Sequence, residues 1–423
     1  MLTLQVIKEN PDFVIERLAV KGFDGKEIIN RILEIDAERR RLQTRCDAEA
    51  SRLKQLSNSI GALMKEGKRE EAENAKAEVA KIKADTKDAQ DKLAEDEKTL
   101  TDLLLTVPNL PNADVPLGLT AEDNVVVKTG GHTPELPEDA PAHWDLAKKY
   151  GLIDFELGVK VTGAGFPFYL GKGARLQRAL IQFFLDEASK AGYTEVEPPF
   201  VVNSASGYGT GQLPDKEGQM YHVTVDDLYL IPTAEVPVTN IYRDVILPAE
   251  SLPRKNCAYS PCWRREAGSY GKDVRGLNRL HQFDKVEIVR VERPEDSYAA
   301  LEEMKAHVEG LLEKLGLPWR ILRLCGGDMS FTSAITYDFE VWSAAQKRWL
   351  EVSSVSNFET YQANRLKCRY RGEDKKPHLC HTLNGSALAL PRIMAALLEN
   401  NQTPEGIMVP EVLRKYTGFD IIN

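Results

Sequence analysis

From Ile32 onward, apolar or small residues recur at Ile32, Ile35, Leu42, Cys46, Leu53, Leu56, Ile60 and Leu63, in alternating steps of three and four, with Arg39 and Glu49 as polar interruptions. Such spacing keeps one stripe of a helix apolar and forms the seam of a coiled coil. After a break at Lys65-Glu66-Gly67-Lys68, a second seam runs through Ala75, Val79, Ile82, Ala89, Leu93, Leu100 and Leu103, with Thr86 and Asp96 as its polar members. Two seams of similar length joined by a short glycine-containing turn predict an antiparallel helical hairpin over residues 27–104. At about 35 residues and 1.5 Å per residue, each helix would reach roughly 50 Å, so the hairpin is expected to project as an arm. Arg40, Arg41, Arg45, Arg52, Lys54, Lys76 and Lys83 are interleaved with acids. A solvated spacer or dimerising coil accounts for this face as well as contact with nucleic acid does.

Beyond the hairpin the pattern changes. Residues 107–141 are rich in acids and proline (Pro108, Pro111, Pro116, Pro134, Pro137, Pro141) and lack helical periodicity, which reads as a linker. Residues 142–423 alternate amphipathic helices, such as Leu176 to Lys190, with short β-rich runs: Thr194 to Val202, Asp227 to Ile231, Val286 to Val291 and Trp319 to Leu324. Few regular strand-helix-strand repeats occur, which favours an α+β domain with an antiparallel sheet over a doubly wound one. The expected division is residues 1–106, a linker at 107–141, and a domain at 142–423.

Composition narrows the possibilities further. With 42% hydrophobic and 28% charged residues in 423, the chain can bury a sizeable core. No run approaches the roughly 20 apolar residues of a membrane span. The first twenty residues carry Lys8, Glu9, Asp12, Glu16 and Arg17, unlike a signal peptide, so a cytoplasmic location is expected. The six cysteines are scattered without C-x-x-C pairing, and His378, Cys380 and His381 lack suggestively spaced fourth ligands, so no zinc is expected. A net charge of -9 argues against coating nucleic acid by bulk electrostatics, though not against a local basic surface.

No phosphate-loop motif is present: Gly165 to Gly173 has the wrong spacing, and Gly207-Tyr208-Gly209-Thr210-Gly211 lacks the strand-glycine-helix setting of a dinucleotide fold. The segment most suited to chemistry begins at Trp263-Arg264-Arg265-Glu266 and returns as Leu280-His281-Gln282-Phe283-Asp284-Lys285-Val286-Glu287. With strand periodicity, Arg264 and Glu266 would share a face, as would Phe283, Lys285 and Glu287. A hairpin would gather an arginine, two carboxylates and an aromatic ring, under a glycine-rich loop bearing Lys272, Arg275 and Arg279 that could close over polyphosphate or an RNA end.

Arg264-Arg265-Glu266 with this loop and returning strand resembles motif 2 of class II aminoacyl-tRNA synthetases. Gly192 to Pro199 resembles motif 1, the dimer-interface element, and Asn384-Gly385-Ser386-Ala387-Leu388-Ala389-Leu390-Pro391-Arg392 resembles motif 3. Within the class, Gly209 to Pro214, Pro232-Thr233-Ala234-Glu235-Val236-Pro237 and Glu351 to Asn357 resemble the seryl enzymes, as do Ile7 to Pro11 and the hairpin. Six collinear motifs carry the resemblance; singly, Arg264 and Glu266 would be a surface ion pair and Phe283 a core residue.

The resemblance implies an antiparallel class II catalytic sheet flanked by helices, and ATP-dependent attachment of L-serine to tRNA(Ser) through a seryl-adenylate, with tRNA(Sec) as a further acceptor. It implies catalytic roles for Arg264 and Arg392, and ATP contacts from Arg264, Arg265, Glu266, Arg279, Phe283, Glu351, Val352, Ser353, Ser354 and Arg392. Serine would be held by Thr233, Ala234, Glu235, Glu287, Asn384 and Ser386, and Mg2+ by Glu351 and Ser354. A homodimer is implied, with the hairpin embracing the tRNA variable arm. The chain departs from the family pattern at Trp263, where phenylalanine is frequent, and at Ala387 and Pro391, where glycine is frequent. A synthetase for another small amino acid would not share Thr233-Ala234-Glu235 with Glu287. A carrier-protein ligase would lack the hairpin and use zinc. A catalytically dead RNA-binding relative would be expected to lose Arg264, Glu351 or Arg392, and a structural coiled-coil protein would leave Thr233 to Arg392 unexplained.

Overall fold

The computed structural model describes residues 1–215, 217–266 and 275–423. The chain forms two compact units: residues 2–19 with 23–108, and residue 1 with 20–22 and 109–423. In the first, α1 (Lys26–Lys65) and α2 (Arg69–Thr106) pair as a hairpin. The turn between them needs a left-handed residue, and Gly67 supplies it at φ +79° while Lys68 N–H closes onto Leu63 O at 3.0 Å. Leu42, Cys46, Ala89 and Leu93 interlock. The polar interruptions of the two seams also meet, with Thr86 Oγ1 donating to Glu49 Oε2 at 2.6 Å. Much of the basic charge is tied to acids, as in Arg40–Asp36, Arg45–Glu49, Arg52–Glu78 and Lys76–Glu73.

The second unit is built on one eight-stranded sheet. Its strands are β1 (Val125–Gly130), β2 (Thr194–Glu195), β3 (Arg254–Trp263), β4 (Gln282–Glu292), β5 (Trp319–Arg323), β6 (Ile335–Ser343), β7 (Arg348–Asn357) and β8 (His381–Ala389). They lie in the order β1-β5-β6-β7-β8-β4-β3-β2, antiparallel throughout except for the β3–β2 pair. The sheet thus has the antiparallel character expected. Within 107–141, read from sequence as a linker, β1 adds an edge strand. Its valines Val125 to Val127 are exposed, so pairing of the backbone with β5, rather than an apolar face, defines it.

Alternation along the central strands separates two faces. Val286, Ile288, Phe339, Val341, Val355 and Leu383 join one core with helices α4 (Gly171–Lys190), α5 (Ser297–Leu315) and α6 (Leu390–Asn400), whereas α3 (His143–Lys149) packs beside α6. The opposite face carries Thr336 and Asp338 on β6, Ser354 and Ser356 on β7, Asn384 and Ser386 on β8, and Lys285 and Glu287 on β4. Cross-strand partners Asp338–Ser354, Ser356–Asn384 and Ser386–Glu287 make this polar stripe continuous. Among the described residues, no helix is long and apolar enough to cross a membrane.

Candidate active site

At one end of the stripe, β3 and β4 form the expected hairpin, pairing Cys262 with Phe283 and Trp263 with Gln282. The strand stops at Trp263, earlier than the sequence reading assumed. Arg264 N–H still donates to His281 O at 2.9 Å, but Arg265 turns to Gln219 O, and Glu266 adopts φ 47°. Arg264 and Glu266 therefore do not share a strand face; the chain is already entering its loop, and a left-handed backbone redirects Glu266. Arg264 lies over the Phe283 ring, 5.4 Å from its centroid, and Glu266 pairs with Arg279 at 3.1 Å. Arg275 stacks on Trp144 at 4.3 Å, whereas Lys272 lies outside the described residues.

Further along β4 lies a buried group of polar side chains. Lys285 Nζ meets Glu287 Oε2 at 2.7 Å and Thr233 Oγ1 at 2.8 Å, and Ser386 Oγ faces Glu287 Oε2 at 3.4 Å. Glu235, also buried, accepts from Gln362 Nε2 at 2.7 Å; Gln362 is oriented in turn by Thr382 and by the Thr210 carbonyl. Two carboxylates share one lysine. Burial, then the charge of Glu287, pushes the Glu235 carboxyl up to about 7. Asn384 is buried at the edge of this group, its side-chain amide directed at the Glu235 carboxyl. One lysine beside two carboxylates leaves the site short of a cation, which the ammonium of an amino acid supplies. Ala234 does not face it; its methyl packs with Val238, Ala258 and Val289.

The third group joins β7 to α6. Arg392 stands in the first turn of α6, after Pro391, where the missing proline N–H costs no helical bond. Its Nη1 donates to Glu351 O at 2.8 Å and lies 3.6 Å from Glu351 Oε2, while Nε donates to Asn278 O at 3.0 Å. Ser354 Oγ reaches Glu351 Oε1 at 3.4 Å. Across the ladder from Ser354, half-buried Asp338 has one buried oxygen, Oδ1, with no hydrogen-bond partner. Burial and then the Glu351 charge push this carboxyl well above the usual range. Hard oxygens around an orphaned carboxylate atom fit a small divalent cation, which takes one or two carboxylates and completes its shell with phosphates and water. Val352 is in the core and Ser353 Oγ donates to Ser386 O at 2.6 Å, leaving their backbone as what they can offer a ligand.

Except for the side chains of Ala234 and Val352, the predicted residues thus fall into three groups along or beside one polar stripe. Lys285 was legible from its period with Glu287, but Gln362, Asp338 and Asn278 carry no spacing signal, being brought in from distant segments. Outside this region, His378 bonds Asp374 at 2.8 Å and His381 bonds Ser297 at 2.8 Å.

Residues 1–111 match the seryl-tRNA synthetase N-terminal domain, and residues 221–401 match the tRNA synthetase class II core domain (G, H, P, S and T). A serine–tRNA ligase of Salinibacter ruber is 54% identical over 421 residues, covering 99% of this chain and 98% of its own. The crystal structure of seryl-tRNA synthetase from Pyrococcus horikoshii complexed with ATP superposes with a TM-score of 0.93 at 34% identity, covering 100% of this chain and 99% of that one. A cytoplasmic serine-tRNA ligase from Naegleria fowleri in complex with AMP gives 0.86 at 27% identity, over 98% and 96% of the two chains. Matched along nearly its whole length in sequence and in fold, the chain belongs to the seryl-tRNA synthetase family.

Proposed function

We propose that the chain activates L-serine with ATP and transfers the seryl group to tRNA(Ser), and to tRNA(Sec) where that acceptor is present. The serine carboxylate attacks the α-phosphorus, a P–O bond forms to serine as the bond to pyrophosphate breaks, and a terminal ribose hydroxyl of tRNA then displaces AMP from the acyl carbon. The nucleophile is already ionised, so the first step calls for alignment and charge neutralisation rather than a strong base. Arg264 would grip the α-phosphate, with Phe283 stacking on adenine and Glu266, Arg265 and Arg279 bounding the nucleotide. Arg392 would take the γ-phosphate at a helix start whose free N–H groups add to the attraction. Glu351 and Ser354 would hold Mg2+, which when bound neutralises phosphate charge.

The observation carrying serine as substrate is the pocket of Glu235, Glu287, Lys285, Asn384 and Ser386, where one lysine serves two buried carboxylates. Glu287 receives the serine hydroxyl or ammonium; alanine or glycine would leave polar groups unpaired, and a threonine methyl would crowd them. The hairpin holds the tRNA variable arm. The exposed β2 edge, in the segment resembling motif 1, supports a homodimer, and the cytoplasm is the working compartment.

The test is ATP–pyrophosphate exchange with serine beside threonine, alanine and glycine. Serine should dominate, and Glu287→Ala should raise the serine KM strongly while ATP binding survives. Equal exchange with alanine, or unchanged serine activation in the variant, would overturn the assignment.

A further inference from the structure

A buried cluster outside the three substrate groups is aimed at one of them. His143, at the start of α3, and Glu399, near the end of α6, are both fully buried. Glu399 Oε1 accepts from the His143 backbone N–H at 3.0 Å and lies 2.7 Å from the ring Nδ1. Its other oxygen accepts from Ser343 Oγ, and from Ala345 N–H at 3.3 Å. Burial alone would raise the Glu399 carboxyl, but the bonds from His143 and Ser343 hold it below its ordinary value. On the far side of the ring, Leu277 N–H donates to His143 Nε2 at 2.9 Å. An N–H can only donate, so Nε2 carries no proton, and Nδ1 therefore donates to Glu399. One tautomer is selected by both partners.

Leu277 belongs to the returning limb of the loop resembling motif 2. Its neighbour Gly276 has φ +64°, and a Cβ there would stand 2.3 Å from His143 Nε2, so glycine is what lets the limb reach the ring. On the other side, Asn278 Nδ2 donates to Gln346 Oε1 at 2.9 Å, and Gln346 Nε2 donates to Glu399 Oε1 at 3.1 Å and to Ser343 Oγ at 2.9 Å. The Asn278 carbonyl then receives Arg392 Nε at 3.0 Å. An unbroken series of bonds runs from a buried carboxylate to the arginine assigned to the γ-phosphate.

We propose that His143, oriented by Glu399, is a positioning residue for ATP: its Nε2 clamps Leu277, and with Gln346 it sets Asn278 and thereby Arg392. The inference rests on the reading of Arg392 as a phosphate ligand. Neither side chain touches the serine pocket residues, so the effect should appear in the ATP requirement alone.

The experiment compares His143→Asn with His143→Gln by serine-dependent ATP–pyrophosphate exchange. The asparagine amide can reproduce the Nδ1 donor to Glu399 but has no acceptor at the Nε2 position; the glutamine amide oxygen can reproduce that acceptor. His143→Asn should raise the ATP KM by about tenfold or more, as for a buried N–H left unpaired, with the serine KM within about twofold. His143→Gln should restore most of the loss. Equal ATP KM values in the two variants, or a serine KM that rises with the ATP KM, would overturn the proposal. Should His143→Asn not fold, Gln346→Ala removes the tie to Asn278 while leaving the ring in place. It should raise the ATP KM severalfold, and an unchanged value would equally overturn the proposal. A wild-type protein without serine-dependent exchange would instead count against the proposed function.

Discussion

Glu235→Gln removes one ionisable group from the amino-acid pocket while keeping its shape, because an amide oxygen at that position can still accept from Gln362 Nε2. The carboxyl is raised from 4.5 to about 7, first by burial and then by the Glu287 charge. At about 1.4 kcal/mol per unit, the folded chain prefers the protonated form by about 3 kcal/mol. The folded pKa lies above the unfolded one, so between these values the folded chain binds more protons. Stability therefore falls as pH rises through this window, and the full penalty of about 3 kcal/mol is present above pH about 7. The variant lacks this slope. Denaturant unfolding of both proteins near pH 5 and near pH 8 should show similar stabilities at the lower pH, with the variant ahead by up to about 3 kcal/mol at the higher one. Serine activation should weaken in the variant, while the wild-type serine KM should fall as pH rises through about 7 and Glu235 gains the charge an ammonium seeks. A stability gap of the same size at both pH values would refute the reasoning, since a pH-independent gap reports packing rather than ionisation.

Other perturbations probe the remaining parts. Arg392→Ala should lower kcat/KM for ATP in exchange by about 10²–10³ with little change in the serine KM, and Arg392→Lys should recover little, because one ammonium cannot span the Glu351 and Asn278 carbonyls in that geometry. Unaltered ATP kinetics in Arg392→Ala would remove it from the phosphate site. Deleting residues 35–100 should spare pyrophosphate exchange and abolish aminoacylation of tRNA; equal charging by the shortened protein would refute the tRNA role of the hairpin. Asp96→Leu replaces a buried seam carboxylate, one oxygen of which lacks a partner, and should stabilise the hairpin by about 1–2 kcal/mol in thermal unfolding followed by far-UV circular dichroism. A lower melting temperature would mean that Asp96, paired with Lys92, stabilises the hairpin.

The hairpin was readable because its information is local and periodic. Heptads specify two helices, Gly67 marks the turn, and Glu49 and Thr86 already stand at matching positions on either side of it. The period-two run through Phe283, Lys285 and Glu287 likewise places three side chains on one face before any fold is known. Of the residues that the motifs named, Ser354, Asn384, Ser386 and Glu287 lie along the polar stripe. Tertiary structure alone decided how they are wired. Where β3 ends depends on the loop that follows, so Glu266 leaves the face that strand periodicity assigned it. The strand at Val125–Gly130 exists because β5 offers an edge, which a window of acids and prolines does not reveal. Asp338 faces Ser354, Gln362 meets Glu235, and Glu399 holds His143 across intervals with no period. Hydrophobic repetition is encoded along the chain, but burial of a polar group makes sense only once its partner's position is known.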